Sequence, residues 1–463
     1  MNEILKNDLD NISSILEEIK KDSIAFLNSI DEIPTSHTDQ KTDSFHLMAT
    51  GLGASGALDL FNSHFRKLIV SSAGPRYWGY VIGGTTPAAL AGDWLTSVFD
   101  QNTQSTQGSG DISAVVELQS IKMMAELFGL PDHFNGGFVS GATLSNFTCL
   151  GVARQWAGVQ SGKDIARNGM SDEIVILAAT PHSSVIKSLS MLGFGSNNIV
   201  KIKADQGRER IDLFDLEQKL IEFSGKPVIL TCSAGTVNTV DFDDFQAISV
   251  LKKKYSFWMH VDAAFGAFAA CSDNHQHLLS GWENADSITI DCHKWMNVPY
   301  DSAIFLSRKE HQKLQVQTFQ NSNAPYLGNP AENFSYLNFL PENSRRFRAL
   351  PAWFSLVAYG KEGFKWIVEN SIHCAMLLKN YLEASADFEV CGAVHLNVVC
   401  FALKENSKTS DFLDILNGHG KVFMTPTILD GQLCIRAAFV NFRTTKQDVD
   451  IAIQEMEEVL EGL

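Results

Sequence analysis

Short β-rich runs alternate with helical stretches through the middle of this 463-residue chain, and no other feature restricts its fold as strongly. Helical segments such as 213–223 and 245–254 lie between several of the runs. The runs are 174–178, 199–202, 228–231, 257–261, 288–290 and 303–306. This alternation predicts an α/β fold with a mainly parallel central sheet and helices on both of its faces. Ligands of such sheets bind beyond the carboxyl ends of the strands.

The alternating region spans residues 66–345, and we interpret it as one large α/β domain. Apolar residues recur at helical spacing within residues 1–65. This N-terminal helical segment is too small and too polar to form a stable domain, so we expect it to pack on a partner subunit. Residues 346–463 mix helical and β-rich patterns, which predicts a small α+β C-terminal domain. Residues 320–343 are rich in turn formers, which predicts a long mobile loop.

The net charge of −16 argues against nucleic acid and anionic membranes as partners, because both would repel the average surface. No apolar run reaches the ~20 residues that span a bilayer. The eight cysteines include no C-x-x-C pair, and the N-terminus does not resemble a signal peptide, so we expect a reduced cytoplasmic protein. His275 and His277 lack a third nearby ligand, and no metal site is predicted.

Two charged residues follow β-rich runs and lie 32 positions apart (294 − 262 = 32). Asp262 closes the run 257–261, and Lys294 comes shortly after the run 288–290. Pyridoxal phosphate (PLP) needs such a pair, because a lysine amine holds its aldehyde as a Schiff base and a carboxylate keeps its ring nitrogen protonated. Each residue alone has a plainer interpretation: a lysine near a strand end is usually solvated, and an aspartate there often caps a helix.

Two further features belong to the same pattern. The glycine-rich segment 136–146 precedes an apolar helix, where free backbone N–H groups and the hydroxyls of Thr143 and Ser145 suit an anion. An ordinary capped helix is the equal alternative. His182 follows a β-rich run, where its flat ring could stack on another flat ring, although a structural histidine is the plainer interpretation. Glycines, histidine, aspartate and lysine in this order favour a PLP site.

The segment 51–56 matches the dinucleotide fingerprint G-x-G-x-x-G letter for letter. A mediocre β-type run precedes it, and no acidic residue lies about 20 positions further on to hold a ribose. We therefore interpret the segment as a glycine-rich turn before a helix rather than as a nucleotide site.

Taken together, the chain resembles the group II PLP-dependent amino-acid decarboxylases, the family of the aromatic amino-acid, glutamate and histidine decarboxylases. The resemblance extends from about Gly74 to the C-terminus. The segments that carry it are 75–78, 87–94, 181–187, 261–266, 293–295 and 345–350. No one of these segments is specific, but their combination is highly specific.

This resemblance implies a type I aminotransferase-like PLP fold and a homodimer with active sites at the subunit interface. Carried over position by position, Lys294 is the Schiff-base lysine, Asp262 pairs with the pyridinium nitrogen and His182 stacks on the cofactor ring. The other cofactor-binding residues that it implies are Gly141, Ala142 and Thr143 in the phosphate-binding turn, His293 as a further phosphate contact, and Thr236 near the phenolate oxygen. Ala142 and Leu144 depart from the residues that many relatives have in this turn.

The implied activity is decarboxylation of an L-amino acid to its amine and carbon dioxide. Tyr336 lies nine residues before Arg345 (345 − 336 = 9), which is the spacing of the loop tyrosine that protonates the carbanion in aromatic amino-acid decarboxylases. His182 is the alternative proton donor. Transamination and oxidative deamination to an aldehyde are alternatives within PLP chemistry. A non-catalytic dimeric relative is a third hypothesis, which the presence of both Lys294 and Asp262 disfavours.

The substrate side chain stays open. Tyr77, Trp78 and Tyr80 favour an aromatic substrate if they line the pocket, but a position in the core is at least as consistent with their type. The segment 81–86 lacks the aromatic–proline step of the aromatic decarboxylases. Arg436 either meets a carboxylate or ties down the C-terminal domain, and we favour the second interpretation.

Overall fold

The computed structural model describes residues 1–38, 44–106, 111–170, 173–320 and 334–463. Its helices are α1 (Glu3–Asp10), α2 (Ile12–Asn28), α3 (Gly53–His64), α4 (Pro87–Phe99), α5 (Ser113–Leu127), α6 (Ala142–Gln160), α7 (Ile165–Asn168), α8 (Ser183–Met191), α9 (Leu213–Glu222), α10 (Phe245–Lys254), α11 (Gln312–Phe319), α12 (Ala349–Ala384), α13 (Thr409–Gly418) and α14 (Lys446–Gly462). Its strands are β1 (Phe134–Val139), β2 (Val175–Ala178), β3 (Ile199–Lys201), β4 (Val228–Ser233), β5 (Trp258–Asp262), β6 (Ser287–Asp291), β7 (Ala303–Arg308), β8 (Phe388–Val390), β9 (Val398–Leu403), β10 (Thr425–Leu429) and β11 (Gln432–Ala438). Among these helices, none combines the length and the apolar character that crossing a bilayer requires.

In the described residues, the central sheet has seven strands in the order β1-β7-β6-β5-β4-β2-β3. β7 runs antiparallel to both of its neighbours, whereas β6, β5, β4, β2 and β3 pair in parallel. The predicted α/β fold with a mainly parallel sheet is therefore confirmed, and each of the six β-rich runs overlaps a strand. The sequence pattern does not predict β1, because Gly136 and Gly137 interrupt its β-type composition.

Alternate residues of the parallel strands are buried on opposite faces of this sheet. In β2, Val175 and Leu177 pack into the largest core cluster, which also receives side chains of α5, α9 and α10. Ile176 points to the other face and packs with side chains of α6 and α8. Because both faces are covered by helices, both must be apolar, which explains why these strands read as continuous hydrophobic runs.

The small sheet of the C-terminal region is antiparallel, in the order β10-β11-β9-β8. β9 is buried along its whole length. Its residues Val399 and Phe401 pack in the core of the C-terminal region, whereas Val398 and Cys400 belong to the core of the central sheet. Arg436 on β11 pairs with Cys400 and so lies on the face that meets the central domain.

The N-terminal helices present apolar side chains to solvent in the single chain. In the part of the chain that the structure describes, α1, α2 and α3 contain no buried residue. The exposed apolar residues of α1 and α2 are Leu5, Leu9, Ile12, Leu16, Ile19 and Ile24. An apolar face without a partner within its own chain is the feature that the expected packing on a second subunit requires.

The G-x-G-x-x-G segment forms the first turn of α3, which begins at Gly53. Asp8 of α1 accepts a hydrogen bond from the backbone N–H of Ala54 at 3.0 Å through its Oδ2. A carboxylate of the chain itself therefore occupies the positive end of this helix, where a nucleotide phosphate would have to bind. The segment is the start of a capped helix, in agreement with the interpretation from the sequence.

The predicted mobile loop at 320–343 lies partly outside the described residues, at 321–333. Of the described remainder, residues 336–338 form a 3-10 helix, and the backbone N–H of Tyr336 donates to Gln104 O at 2.7 Å. The following segment is held by a buried ion pair, in which Arg345 Nη2 donates to Glu117 Oε1 at 2.6 Å. The end of the loop is thus anchored to α5.

Candidate active site

A cavity of about 350 Å³ opens where the parallel strands of the central sheet end. Four of the predicted site residues line it: His182, Thr236, Asp262 and Lys294. Asp262 is the last residue of β5, and Lys294 lies in the turn that follows β6. Because β5 and β6 are adjacent and parallel, their carboxyl ends bring both side chains to the same edge of the sheet.

Lys294 forms an ion pair with a buried carboxylate three residues earlier. Its Nζ lies 2.9 Å from Oδ2 of Asp291, which closes β6. The other oxygen of Asp291, Oδ1, is buried and has no hydrogen-bond partner among the described residues. The amine is also 5.9 Å from the centroid of the Phe265 ring. The lysine is therefore held inside the cavity rather than solvated.

The turn that carries Lys294 is tied to two other parts of the chain by Asn297, which is fully buried and has a positive φ of 56°. Its Oδ1 accepts from the backbone N–H of Gly84 at 2.8 Å, and its Nδ2 donates to Val440 O at 2.9 Å. Gly83 packs so closely that a Cβ at this position would lie 1.9 Å from Lys294 O. Only glycine fits between the two backbones.

Asp262 is nearly buried and has defined partners for both oxygens. Its Oδ2 accepts from Asn146 Nδ2 at 3.1 Å, and its Oδ1 accepts from the backbone N–H of Ala264 at 3.2 Å. These bonds fix the plane of the carboxylate at the floor of the cavity. Asn146 was not identified from the sequence. Its place one turn into a helix that follows a glycine-rich segment is the only sequence signal for it.

His182 is the N-cap residue of α8, and its Nδ1 accepts from the backbone N–H of Ser184 at 3.2 Å. The hydroxyl of Ser184 lies 2.8 Å from the same nitrogen. Desolvation by the cavity walls lowers the pKa of the imidazole and outweighs the opposing effect of the Asp262 carboxylate. The ring is therefore neutral at physiological pH, with its proton on Nε2.

The predicted phosphate-binding turn at the start of α6 is not part of the lining of this cavity; Gly141 is the N-cap residue of α6, and no described side chain caps the helix. The first-turn N–H groups, including those of Ala142 and Thr143, are thus free to bind an anion. His293 borders this turn, because a Cβ on Gly141 would lie 3.3 Å from His293 Cε1. The imidazole stacks on the Tyr300 ring at 4.3 Å, and burial lowers its pKa.

Thr236 lines the cavity, but its hydroxyl is already engaged. Thr236 Oγ1 donates to Oε2 of Glu209 at 2.6 Å, and the same carboxylate oxygen accepts from Thr239 Oγ1 at 2.7 Å. Glu209 lines the cavity as well and was missed from the sequence, since it lies in a polar segment between β3 and α9 that matches no motif.

Arg436 lines the cavity, and both interpretations from the sequence, a contact with a carboxylate and a tie of the C-terminal region, stay predictions. Its Nη1 donates to Asn238 Oδ1 at 3.4 Å, and its Nε is buried without a hydrogen-bond partner in the described residues. Desolvation lowers the pKa of the guanidinium, which nevertheless stays charged. A guanidinium that lines a cavity attracts anionic groups.

The three aromatic residues near the entry segment have different environments. Trp78 is buried in the core of the C-terminal region, 4.4 Å from the Phe439 ring. Tyr77 is also buried and stacks on Phe423 at 4.6 Å. Tyr80 alone of the three lines the cavity. Trp78 and Tyr77 are therefore core residues, whereas Tyr80 is a pocket residue.

Tyr336 does not line this cavity. Its side chain is fully buried, its hydroxyl donates to Gly136 O at 3.3 Å, and the Arg345 guanidinium lies 4.3 Å above its ring. Burial raises the pKa of the phenol well above its usual range. The described contacts place the side chain between β1 and the Arg345 anchor, and they give no support to its predicted role as a proton donor.

Comparisons with known proteins assign this arrangement to a family. Residues 62–404 match the conserved domain of pyridoxal-dependent decarboxylases. The chain is 29% identical over 392 residues to the aromatic-L-amino-acid decarboxylase of Bacillus atrophaeus, covering 81% of this chain and 79% of that protein. It is 26% identical over 408 residues to tryptophan decarboxylase 2 of Oryza sativa subsp. japonica, covering 82% and 79%.

Solved structures share the fold. A crystal structure of Oryza sativa TDC with PLP and tryptamine superposes with a TM-score of 0.89 at 20% identity, over 97% of both chains. The 4-hydroxyphenylacetaldehyde synthase of Rhodiola rosea superposes with a TM-score of 0.88 at 19% identity, over 98% of this chain and 99% of that one. At such identities the likeness concerns the fold.

Replacing Gly83 with alanine tests the close contact at the lysine turn. Because a Cβ would lie 1.9 Å from Lys294 O, the turn must shift. We expect a loss of about 1–3 kcal/mol in the free energy of unfolding, the usual cost of overpacking, and weaker covalent retention of the cofactor. Thermal unfolding and the cofactor absorbance measure the two effects. Gly51→Ala is the control, since nothing lies within 4 Å of its Cβ position. Unchanged cofactor retention in Gly83→Ala would contradict the expectation.

Proposed function

The chain belongs to the pyridoxal-dependent decarboxylase family and is a PLP-dependent carboxy-lyase, and we propose that it converts an aromatic L-amino acid to the corresponding amine and carbon dioxide. The observation that carries this proposal is the common cavity of Lys294 and Asp262 at the ends of adjacent parallel strands. The two relatives named above act on aromatic amino acids by name. Tyr80 and Phe265 give one part of the cavity an aromatic lining.

The residues present fit PLP. Lys294 offers an amine for the aldehyde, Asp262 offers a carboxylate to the ring nitrogen, and the uncapped amides after Gly141 offer donors to the phosphate, with His293 beside them. The neutral ring of His182 lines the same cavity, which supports the proposal that it stacks on the cofactor. When bound, PLP supplies a conjugated ring that accepts the electrons of the bond to the departing carboxylate.

The protein contributes orientation and charge to this reaction. Asp262 is held by two hydrogen bonds, so its negative charge is already in place where positive charge must be stabilised, without reorganisation during the reaction. Asp291 keeps the amine of Lys294 inside the cavity. We assign the return of the proton to the substrate carbon to the imidazolium form of His182, which must first take up a proton from solvent because the resting ring is neutral.

Arg436 is our candidate for the group that receives the carboxylate of the incoming substrate. Its guanidinium lines the cavity, and its Nη1 makes only a long hydrogen bond of 3.4 Å to Asn238, which supports this nitrogen as a donor to a carboxylate. It reaches the cavity from β11, so the C-terminal region completes the binding site. Asn238 accepts from Arg436 Nη1 at 3.4 Å and donates to Glu209 Oε1 at 3.5 Å, so two long hydrogen bonds link the guanidinium to this loop.

We also propose that the active protein is a homodimer in a reducing, cytoplasmic compartment. The exposed apolar residues of α1 and α2 support the dimer, since a surface of this kind needs a partner. The cysteines support a reducing compartment, because all eight lie in the described residues and each is a free thiol.

A panel of L-amino acids supplied to the PLP-loaded protein tests the activity. We expect carbon dioxide release to be fastest with aromatic substrates and to fall at least about a thousandfold, or about 4 kcal/mol, in Lys294→Ala. The Schiff-base absorbance should disappear in this variant. Lys309→Ala, which removes an exposed partner of Asp132, is the control. A covalent cofactor retained in Lys294→Ala would refute the lysine assignment, and faster turnover of an acidic or aliphatic substrate would refute the aromatic proposal.

Arg436→Met tests the carboxylate site, because it removes the charge and keeps most of the side-chain length. We expect KM to rise at least about tenfold, the scale of a lost hydrogen bond between charged groups, while cofactor affinity stays the same. Steady-state kinetics and a PLP titration of the apoenzyme separate the two. Arg436→Lys should restore part of the loss. An unchanged KM in Arg436→Met would assign the residue a structural role instead.

Tyr336→Phe decides whether this tyrosine takes part in the proton return. If the described position is the functional one, the ratio of amine to aldehyde stays that of the parent, and stability falls by about 1 kcal/mol through the lost hydrogen bond. Chromatography of the products and thermal unfolding give both values. A rise in aldehyde would show instead that Tyr336 donates the proton, as the spacing to Arg345 predicts.

The dimer is tested by replacing Leu5, Leu9 and Leu16 together with serine. We expect light scattering after size exclusion to give the mass of two chains for the parent and a shift towards one chain for the variant, because the apolar face is lost. Ile428→Ser, an exposed change in β10, is the control. An active parent with the mass of a single chain would rule out the proposal.

A further inference from the structure

Four fully buried polar side chains lead from the interior of the central sheet to the floor of the cavity. They are Trp258 and His260 of β5, Ser287 of β6 and Asn146 of α6. The parallel register brings His260 opposite Ser287. None of the four lines the cavity, so none can touch a ligand there. Buried polar groups are costly unless they are paired, and here each finds a partner within the set.

The distances define a continuous chain of hydrogen bonds. Trp258 Nε1 donates to Ser287 Oγ at 3.0 Å, and Ser287 Oγ lies 2.9 Å from His260 Nδ1. His260 Nε2 lies 2.8 Å from Asn146 Oδ1. Asn146 Nδ2 then donates to Asp262 Oδ2 at 3.1 Å. This series of hydrogen bonds therefore ends on the carboxylate of Asp262, which lines the cavity.

The same amide also reaches the histidine on the opposite side of the cavity. Asn146 Nδ2 donates to Ser184 Oγ at 3.2 Å, and Ser184 Oγ lies 2.8 Å from His182 Nδ1. The two hydrogens of one amide group thus serve both Asp262 and His182. If the amide were rotated by 180°, its oxygen would face the carboxylate, and the bond to Asp262 would be replaced by repulsion.

The chemistry of the donors fixes the direction of every bond. An indole N–H can only donate, so Ser287 accepts from Trp258, and Ser287 gives its own proton to His260 Nδ1 because a neutral ring protonated on Nε2 leaves Nδ1 bare. Since the Asn146 amide nitrogen donates to Asp262, its oxygen must accept, and His260 must carry its proton on Nε2. Burial lowers the pKa of His260 to about 4, which agrees with a neutral ring that is protonated on only one of its two nitrogens.

We propose that His260, in its Nε2–H form, is a positioning residue that locks the Asn146 amide and, through it, orients both Asp262 and His182. Every hydrogen bond in this series donates in the direction of the cavity, so each bond polarises the next. The last bond, from Asn146, stabilises the negative charge of the Asp262 carboxylate. The inference rests on the proposed role of Asp262 towards the cofactor.

Two substitutions of the same residue separate this role from mere packing. In His260→Gln the side-chain amide reaches the Nε2 position and still donates to Asn146. In His260→Asn the shorter amide reaches only the Nδ1 position, so it can accept from Ser287 but cannot hold Asn146. We expect His260→Gln to bind PLP within about threefold of the parent and His260→Asn to bind it at least about tenfold more weakly. The measurement is a PLP titration of the folded apoenzymes.

Equal cofactor affinity in the two variants, or stronger binding in His260→Asn, would overturn the proposal. The same PLP titration of Asp262→Asn distinguishes the role of Asp262 from the positioning role of His260. If Asp262→Asn binds PLP as the parent does, the role of Asp262 is refuted. If it binds weakly while both His260 variants bind as the parent does, only the positioning role of His260 is refuted.

A measurement on the unaltered holoenzyme covers the case in which the variants do not fold. Ring-¹⁵N histidine labelling and NMR distinguish a protonated from an unprotonated ring nitrogen. The proposal requires that His260 carry its proton on Nε2 with a bare Nδ1, and that His182 show the same tautomer. A protonated Nδ1 at His260 would reverse the direction of the chain and overturn the proposal.

Discussion

The parallel pairing of β5 with β6 is the constraint on which the active site depends. The backbone N–H of Ala263 donates to Thr289 O, and that of Asp291 donates to Ala264 O, so the register continues past the strand ends. This register sets how far Asp262 lies from the lysine turn. A slip by one residue would turn both side chains to the opposite faces of the sheet, because the side-chain period of a strand is two. The hydrophobic burial of both sheet faces prevents such a slip.

The second requirement is the closure of the C-terminal region onto this edge. The small sheet buries one face in its own core and the other against the central domain, and Arg436 lies on the second face. Asn297 links the lysine turn, the entry segment at Gly84 and Val440 through three bonds of one buried side chain. The cavity is therefore assembled by contacts between distant parts of the chain, and its charge pattern belongs to neither domain alone.

Local patterns predicted much of this arrangement, and the exceptions have physical reasons. The lysine and aspartate lie near strand ends, which the alternating runs identify. The predicted phosphate-binding turn is indicated by its glycines. Asn146 and Glu209 carry no such signal, because their importance comes from partners more than 25 residues away. Tyr336 is a different case: its spacing to Arg345 predicts a role in proton transfer, whereas in the described chain its side chain is buried beside the ion pair of Arg345 and Glu117 and outside the cavity lining.

The sequence by itself determined the α/β architecture, the order of strands β2 to β7 along the chain, and the positions of the lysine and aspartate near strand ends, because strand periodicity and residue chemistry are local properties. The tertiary structure alone decided which charged groups share the cavity, which aromatic residue lines it, and which way each buried hydrogen bond points. These depend on where distant side chains meet in a low-dielectric interior, where an unpaired polar group is costly and each donor must therefore find one particular acceptor.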